Sequence, residues 1–432
     1  MKIKLNKGRK SVNISILDNM VIDTLNGSDV KGLSHDYIKK QIANGIKKNS
    51  PKDIHNKKIV IIVPDNTRLW ARGDIFVPVI IQTLLKLNVP EKSIKIILAL
   101  GTHSGLDKSK FLPLVGKYCI NKIEIINSAN KNVQRLVHLG KTNKKTDLYI
   151  TKEAYDADHI IIFGGILHHL IAGFGGGRKY ILPGIAGYSS IQQNHSLAIL
   201  KDGTPHPNVK QAQLLKNPVN EDMEDAATIF LKGKTSIYAA VAANGTGDIF
   251  YTETGSIKET FIKGCKQLNH ACCVKISQKG DFALISAGGH RTDKLLYQAT
   301  KALFNAVNSV KEGGKILFVA GAQEGIGNKI FEDVLMKYKK CPEKIGKKLI
   351  SEFNMPSYIA FRLIDLLERF DITLVSTLSE TLTHEIGFKY SDKMDDYIKN
   401  LKGKGYIIPY AENILPVMDT PKHKDIVNRS KS

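Results

Sequence analysis

Residues 157–195 read ADHIIIFGGILHHLIAGFGGGRKYILPGIAGYSSIQQNH, a short β-branched run that breaks into glycines and histidines. Ala157 to Phe163 has the apolar continuity of a strand covered on both faces, as in a parallel sheet flanked by helices. Ligands of open α/β folds bind beyond the carboxyl ends of such strands, so the residues that follow are candidates for a site. Gly173, Gly175, Gly176 and Gly177 remove β-carbons that would hold a ligand away from the backbone, and free N–H groups in such a loop favour an anion. Arg178 and Lys179 add positive charge, which makes phosphate the first expectation. The run is neither GxxxxGK[ST] nor a GxGxxG opening a long helix, so the glycines alone are also compatible with a tight strand-to-helix turn. His169, Lys179 and His195 on one apolar background carry more: a histidine serves as base or metal ligand, and a desolvated lysine as nucleophile or covalent anchor.

The same arrangement of strand followed by polar loop recurs outward from this stretch. Lys58 to Val63 reads as a buried strand delivering Pro64-Asp65-Asn66-Thr67-Arg68, and Ile94 to Leu100 as another delivering Gly101-Thr102-His103. Helices are expected from Ser34 and over Ile75 to Leu87, with further strands over Lys122 to Ile126, Leu148 to Thr151 (an antiparallel neighbour) and Ser236 to Ala243. The turn-rich segment from His195 to Pro218 reads as an excursion over the site. Ile257 to Leu268 reads as a joining helix, with His270, Cys272 and Cys273 opening an apolar strand. From residue 271 a second unit begins: a strand Phe282 to Ser286, a turn Gly288-Gly289, and a helix capped by Thr292 or Asp293 that carries Tyr297, Gln298 and Lys301. Gln298 and Lys301 are three apart and share a helix face. Gly321, Gly325 and Gly327 read as scaffold, and the tail after Pro421 as polar and mobile. The fold class is therefore α/β: two domains, 1–270 and 271–432, with mostly parallel sheets and the active site in the cleft between them.

Composition excludes several classes. The 432 residues carry 63 lysines and arginines against 41 acidic residues, a formal charge of +22. The lysines are scattered over amphipathic segments with no nucleic-acid-binding motif, so a nucleic-acid partner is not expected and the charge serves an anionic substrate. No run approaches the roughly 20 apolar residues of a membrane span. The opening MKIKLNKGRK lacks the apolar core of a signal peptide, and a cytoplasmic protein is expected. Five cysteines without CxxC spacing indicate neither a disulfide framework nor a zinc site.

On these residues the sequence resembles the nickel-pincer lactate racemases and their 2-hydroxy-acid racemase and epimerase relatives. That family's histidine, AG-aromatic-x-GGxK, PG and further histidine correspond to His169, Ala172-Gly173-Phe174, Gly176-Gly177-Arg178-Lys179, Pro183-Gly184 and His195. The likeness continues at Asp65-Asn66-Thr67-Arg68, Gly101-Thr102-His103, and Tyr297-Gln298 with Lys301. It implies a nickel cofactor, the pyridinium-3,5-bisthiocarboxylic acid mononucleotide pincer, with Lys179 as tether, the glycine loop as its binding segment, and His195 as protein ligand to nickel. It further implies His103 and His169 as paired acid/base residues, and Arg68, Gln298 and Lys301 as substrate-binding groups, with Asp65 orienting a histidine or Arg68 and Tyr297 lining the pocket. His168 falls outside the motif and is assigned to packing. The reaction implied is inversion at Cα of a 2-hydroxy acid by hydride transfer, with cofactor-synthesis enzymes as partners. Leu69-Trp70 stands where the family commonly has proline after Thr-Arg, and Arg291 where it often has proline before x-Asp; both bear on the substrate pocket. Two other readings compete: a dehydrogenase with a diffusible dinucleotide, and a non-catalytic protein binding an anionic metabolite.

Overall fold

The computed structural model describes residues 1–27, 30–244 and 247–419; the tail after Pro421 lies outside the described residues. The chain opens with an antiparallel hairpin, β1 (Lys2–Lys7) and β2 (Lys10–Ser15), and a short strand β3 (Val21–Thr24). Next come α1 (His35–Asn49), β4 (Ile59–Pro64), α2 (Gly73–Lys86), β5 (Ile94–Ala99), α3 (Leu112–Lys122) and β6 (Glu124–Asn127). A hairpin of β7 (Leu136–Lys141) and β8 (Asp147–Thr151) leads through α4 (Lys152–Tyr155) to β9 (His159–Gly165). Two three-residue strands, β10 (Leu167–His169) and β11 (Gly173–Gly175), precede α5 (Tyr188–Ser196), α6 (Pro218–Leu231), β12 (Thr235–Ala243), β13 (Ile249–Gly255) and α7 (Ile257–Cys272).

These elements build a six-stranded sheet in the order β13-β12-β9-β4-β5-β6, parallel except for β13 at one edge. Every residue of β4 and β9 is buried, which is why both read as unbroken apolar runs rather than alternating ones. Ile38, Ile42 and Ile46 of α1 repeat every four residues and pack with Phe76, Val77, Ile80 and Leu84 of α2 in the same core as Ile61 and Ile96 of the sheet. Ser34 caps α1, its side chain accepting from Tyr37 N–H. The chain runs from β4 to β5 and β6 on one side, then returns to β9 on the other side of β4. The order therefore reverses between β4 and β9, and the crevice beyond their carboxyl ends is where such sheets bind ligands.

The second sheet has the order β18-β17-β16-β15-β19-β3 and is parallel throughout. Its strands are β15 (Gly280–Ser286), β16 (Val310–Val319), β17 (Asp371–Val375), β18 (Lys389–Tyr390) and β19 (Gly405–Ile408), with β14 (Cys273–Ile276) pairing separately with β20 (Leu415–Met418). Helix α8 (Leu296–Ala306) carries Tyr297, Gln298 and Lys301.

The chain divides differently at its start from the boundary expected at residue 270. Counted over described residues, one unit takes 1–27, 199–206 and 271–419, and the other 30–198, 207–244 and 247–270. The reason is pairing and burial: β3 adds to the edge of the second sheet beside β19, and Leu5 and Ile14 of the hairpin share a core with Phe282 and Leu317. Two smaller expectations also change. His270 and Cys272 end helix α7 rather than open a strand, the strand beginning at Cys273. Neither Thr292 nor Asp293 caps α8: its N-cap is Leu295, while the fully buried Asp293 accepts from the backbone N–H groups of Gly8 (2.8 Å) and Gly321 (2.7 Å). No helix among the described residues is long and apolar enough to cross a membrane, and all five cysteines are free thiols.

Candidate active site

Three strand ends meet at the reversal of the first sheet. Asp65 follows β4 and caps the short turn Asn66–Ala71, its Oδ1 accepting from Thr67 N–H (3.0 Å) and Thr67 hydroxyl (2.6 Å). Its other oxygen accepts from Nδ1 of His103, which follows β5. The loop that holds His103 is fixed from two sides: Asn130 donates to the carbonyls of Gly101 (2.7 Å) and His103 (2.8 Å), and Gly101 N–H donates to Gly184 (3.1 Å). Arg68 is half-buried in the same turn and donates to Thr67.

Beyond β9 the chain forms the small β10–β11 ribbon, with His169 paired opposite Gly173. His169 Nδ1 accepts from the N–H groups of Ile171 and Ala172, both at 3.2 Å, so its neutral ring carries the proton on Nε2. Burial, reinforced by the charges of Lys179 and Arg68, holds His169 well below the usual histidine value. Burial also pushes the Lys179 amine down to about 7, with Arg68 and Arg178 acting in the same direction. His195 is buried on α5 and pushed down to about 3, again by burial first and Lys179 second. His169, Lys179 and His195 are thus within electrostatic reach of one another, and His103 joins them through Asp65, which bears on Lys179.

The glycine loop has two features that its sequence does not show. On the side their β-carbons would occupy, its glycines are packed against protein: a β-carbon on Gly173 would stand 2.2 Å from the Gln213 carbonyl oxygen, and one on Gly177 would press on the Phe261 ring at 3.0 Å. Leu167 fills the corresponding space at Gly175, and the Tyr238 hydroxyl that at Gly176. Arg178 is not offered to an anion either. It is 3% exposed, lies 4.1 Å over the Phe261 ring, and donates to Asn220 Oδ1 (2.8 Å) and to the carbonyls of Gly176 (3.3 Å) and Ala172 (2.9 Å). The loop is a rigid mount for Lys179.

Most of the remaining candidates have partners of their own. Tyr297 packs edge-on against Phe331 in the second unit, Gln298 is exposed, and Lys301 is exposed with its amine 3.8 Å from Glu412. His168 hydrogen-bonds Asn269 Oδ1 (2.8 Å) and lies against Phe174, a packing role. Trp70, in the departure from the family pattern, sits where a β-carbon on Gly165 would be and so abuts the end of β9.

Sequence reasoning missed a set of buried polar residues. His195 Nδ1 donates to Asn194 Oδ1 (3.0 Å), whose amide nitrogen donates to Val219 O (3.1 Å) and Asp222 Oδ2 (2.8 Å). Asp222 is fully buried on α6 and also accepts from the hydroxyls of Thr142 and Thr146. The signal was Asn217-Pro218 read as a turn: it is the start of α6, with Asn217 capping the N–H groups of Val219 and Asn220.

Comparison with known proteins bears on this geometry. The family model described as the lactate racemase N-terminal domain matches residues 7–205, and that described as the lactate racemase C-terminal domain matches 275–406. A protein named lactate racemase from Lactiplantibacillus plantarum is 30% identical over 299 residues, 68% of this chain and 68% of that protein. The chain belongs to the lactate racemase family. A second lactate racemase, from Thermoanaerobacterium thermosaccharolyticum, is 28% identical over 73% of this chain and 72% of its own length. The lactate racemase apoprotein structure from the same organism superposes with a TM-score of 0.83 at 24% identity, covering 96% of this chain and all of that one. A structural-genomics protein from Thermotoga maritima follows at 0.60 and 15% identity, covering 91% of this chain. At those identities the structural likeness speaks for the fold. The racemase family is one of isomerases, so the chain is an enzyme of that class.

Proposed function

We propose that the enzyme racemises a 2-hydroxy acid, lactate first among them, using a nickel-pincer nucleotide tethered to Lys179. One observation carries the reading: a half-buried lysine amine pushed down to about 7 by desolvation, within electrostatic reach of the half-buried His169 and the buried His195, both held neutral, at the reversal point of a parallel sheet. The donors fit the group. An amine with a substantial unprotonated fraction near neutral pH is nucleophilic enough for covalent attachment, and an imidazole held neutral is the form that binds a metal. His195, buried and held neutral, would be the residue that holds the nickel ion. When bound, the pincer supplies a reversible acceptor for the hydrogen that leaves Cα with its electron pair.

The chain's own residues handle the substrate. Arg68 pairs with its carboxylate, and Gln298 and Lys301, exposed on the second unit, are assigned to its oxygens. His103, its Nδ1 proton given to Asp65, presents Nε2 as acceptor for the hydroxyl proton; His169 presents Nε2–H as donor. One histidine serves each hand of the substrate; for His169 to take the hydroxyl proton at Nε2, its own proton must first move to Nδ1, which breaks the hydrogen bonds from the Ile171 and Ala172 N–H groups. The dehydrogenase reading is weaker because the glycine loop runs into a short turn, Gly177–Tyr180, and not into a helix whose N-terminus would take a pyrophosphate. Protein produced with the cofactor-synthesis enzymes should bring either enantiomer of lactate to an equal mixture in a chiral assay. Unchanged lactate from protein carrying both nickel and the mass adduct would overturn the assignment.

A further inference from the structure

The first turn of α6 is polar where a buried helix is expected to be apolar. Asn217, Asn220 and Asp222 are each at most 2% exposed, between the equally buried Val219 and Met223. Burying three such side chains is costly unless each finds its partners, and apolar residues of similar size would be cheaper. Here every one is engaged, and each on a different piece of the site. Asn217 Nδ2 donates to the Ile171 carbonyl (2.9 Å), the residue whose N–H holds His169. Asn220 Oδ1 accepts from Arg178, the neighbour of Lys179. Asp222 accepts from Asn194, which accepts from His195.

The spacing explains how one turn serves three segments. At roughly 100° per residue, positions 217 and 220 lie on nearly the same side of the helix, whereas 220 and 222 are about 200° apart. The first pair therefore faces the 171–178 loop, and Asp222 faces α5 together with Thr142 and Thr146. The Asn194 amide has no freedom to flip, because its nitrogen is committed to Val219 O and Asp222. That commitment fixes the His195 ring with its proton on Nδ1 and its lone pair on Nε2.

We infer that Asn217, Asn220 and Asp222 are positioning residues, through which α6 sets the mutual placement of His169, Lys179 and His195. The inference rests on the roles proposed for those three, and its test keeps the two apart. Asp222→Asn puts an amide donor or a weaker acceptor where Asn194 needs a carboxylate, so His195 loses its orientation while the 171–178 loop stays anchored. Asn220→Ala releases Arg178 while the His195 chain stays whole. Nickel dissociation from cofactor-loaded protein should accelerate about 10-fold or more in Asp222→Asn, the usual scale for an outer-shell partner of a metal ligand. In the cofactor-free protein, acetylation of Lys179 by acetic anhydride at pH 7.5, read by peptide mass, should slow about 10-fold in Asn220→Ala, a modest share of what misplacement by an ångström costs. Each variant should leave the other's readout within about twofold, a cross-over that general destabilisation cannot produce. If Asn220→Ala does not fold, Phe261→Leu, which removes the ring under Arg178, replaces it with the same expectation. Variants that load nickel and acetylate like the wild type would overturn the positioning role alone. Wild-type protein that takes up neither adduct nor nickel would overturn the reading of Lys179 and His195, and this inference with it.

Discussion

His103 gives its Nδ1 proton in a hydrogen bond to Asp65, although the two follow different strands and differ sharply in exposure, 56% for the His103 side chain and 5% for Asp65. A buried carboxylate behind an accessible imidazole fixes the ring's tautomer and orientation. Burial alone would raise Asp65, but the hydrogen bonds from His103 and Thr67 outweigh it and hold the carboxyl below its ordinary range. Asp65→Asn should therefore lower kcat for both enantiomers by about 100-fold or more while leaving the mass adduct intact. A near-wild-type kcat would remove Asp65 from the proton path.

The two histidines should each be needed for a full cycle. His103→Ala and His169→Ala are each expected to cost about 100-fold, within the range of a general acid or base. Steady-state rates from pure D- and pure L-lactate give the check, and full activity in either variant refutes the pair.

Covalent attachment should report the Lys179 amine directly. With the amine at about 7, the rate of adduct formation should rise through pH 7 and level off near pH 8–9, where an ordinary lysine is still almost wholly protonated. Lys179→Ala should give no adduct while retaining the wild-type circular dichroism spectrum, and His195→Ala should keep the adduct while losing nickel. Time courses of intact mass and metal content decide each point.

Much of this arrangement was legible in the sequence, because the signals were local. β4, β5 and β9 announce themselves as apolar runs, and the candidate residues follow each of them at the end where the strand order reverses. What the sequence hid depends on distant partners. Arg178 in a glycine-rich loop looks like an anion binder until Asn220 and two carbonyls are seen to absorb its donors. Asn217-Pro218 looks like a turn, since the burial that makes its helix an anchor comes from segments that sequence spacing does not relate to it. The first residues belong with the second sheet because β3 pairs with β19, more than 380 positions away, for which no local pattern exists.

Acid should destabilise the cofactor-free protein through buried neutral histidines. His159 is fully buried at the start of β9, with Nδ1 on the Thr235 hydroxyl (2.7 Å) and Nε2 without a hydrogen-bond partner, and burial pushes it down to about 4. Below its ordinary value of 6.5 the unfolded chain binds the proton that the folded chain refuses, so stability is complete above that pH and falls as pH drops from 6.5 towards 4. Thermal denaturation across pH 4–8 should show Tm declining over that window, with a shallower decline in His159→Gln. Parallel curves for the two proteins would assign the acid sensitivity elsewhere.

The central claim is that the α-hydrogen leaves and returns as hydride while histidines move only the hydroxyl proton. Lactate of one hand, deuterated at Cα, incubated with cofactor-loaded enzyme in ordinary water, tests it in one experiment that follows optical rotation and label together. The account predicts that rotation decays to zero, more slowly than with unlabelled lactate, and that deuterium stays largely on Cα. Rotation lost in step with deuterium released to water would contradict it.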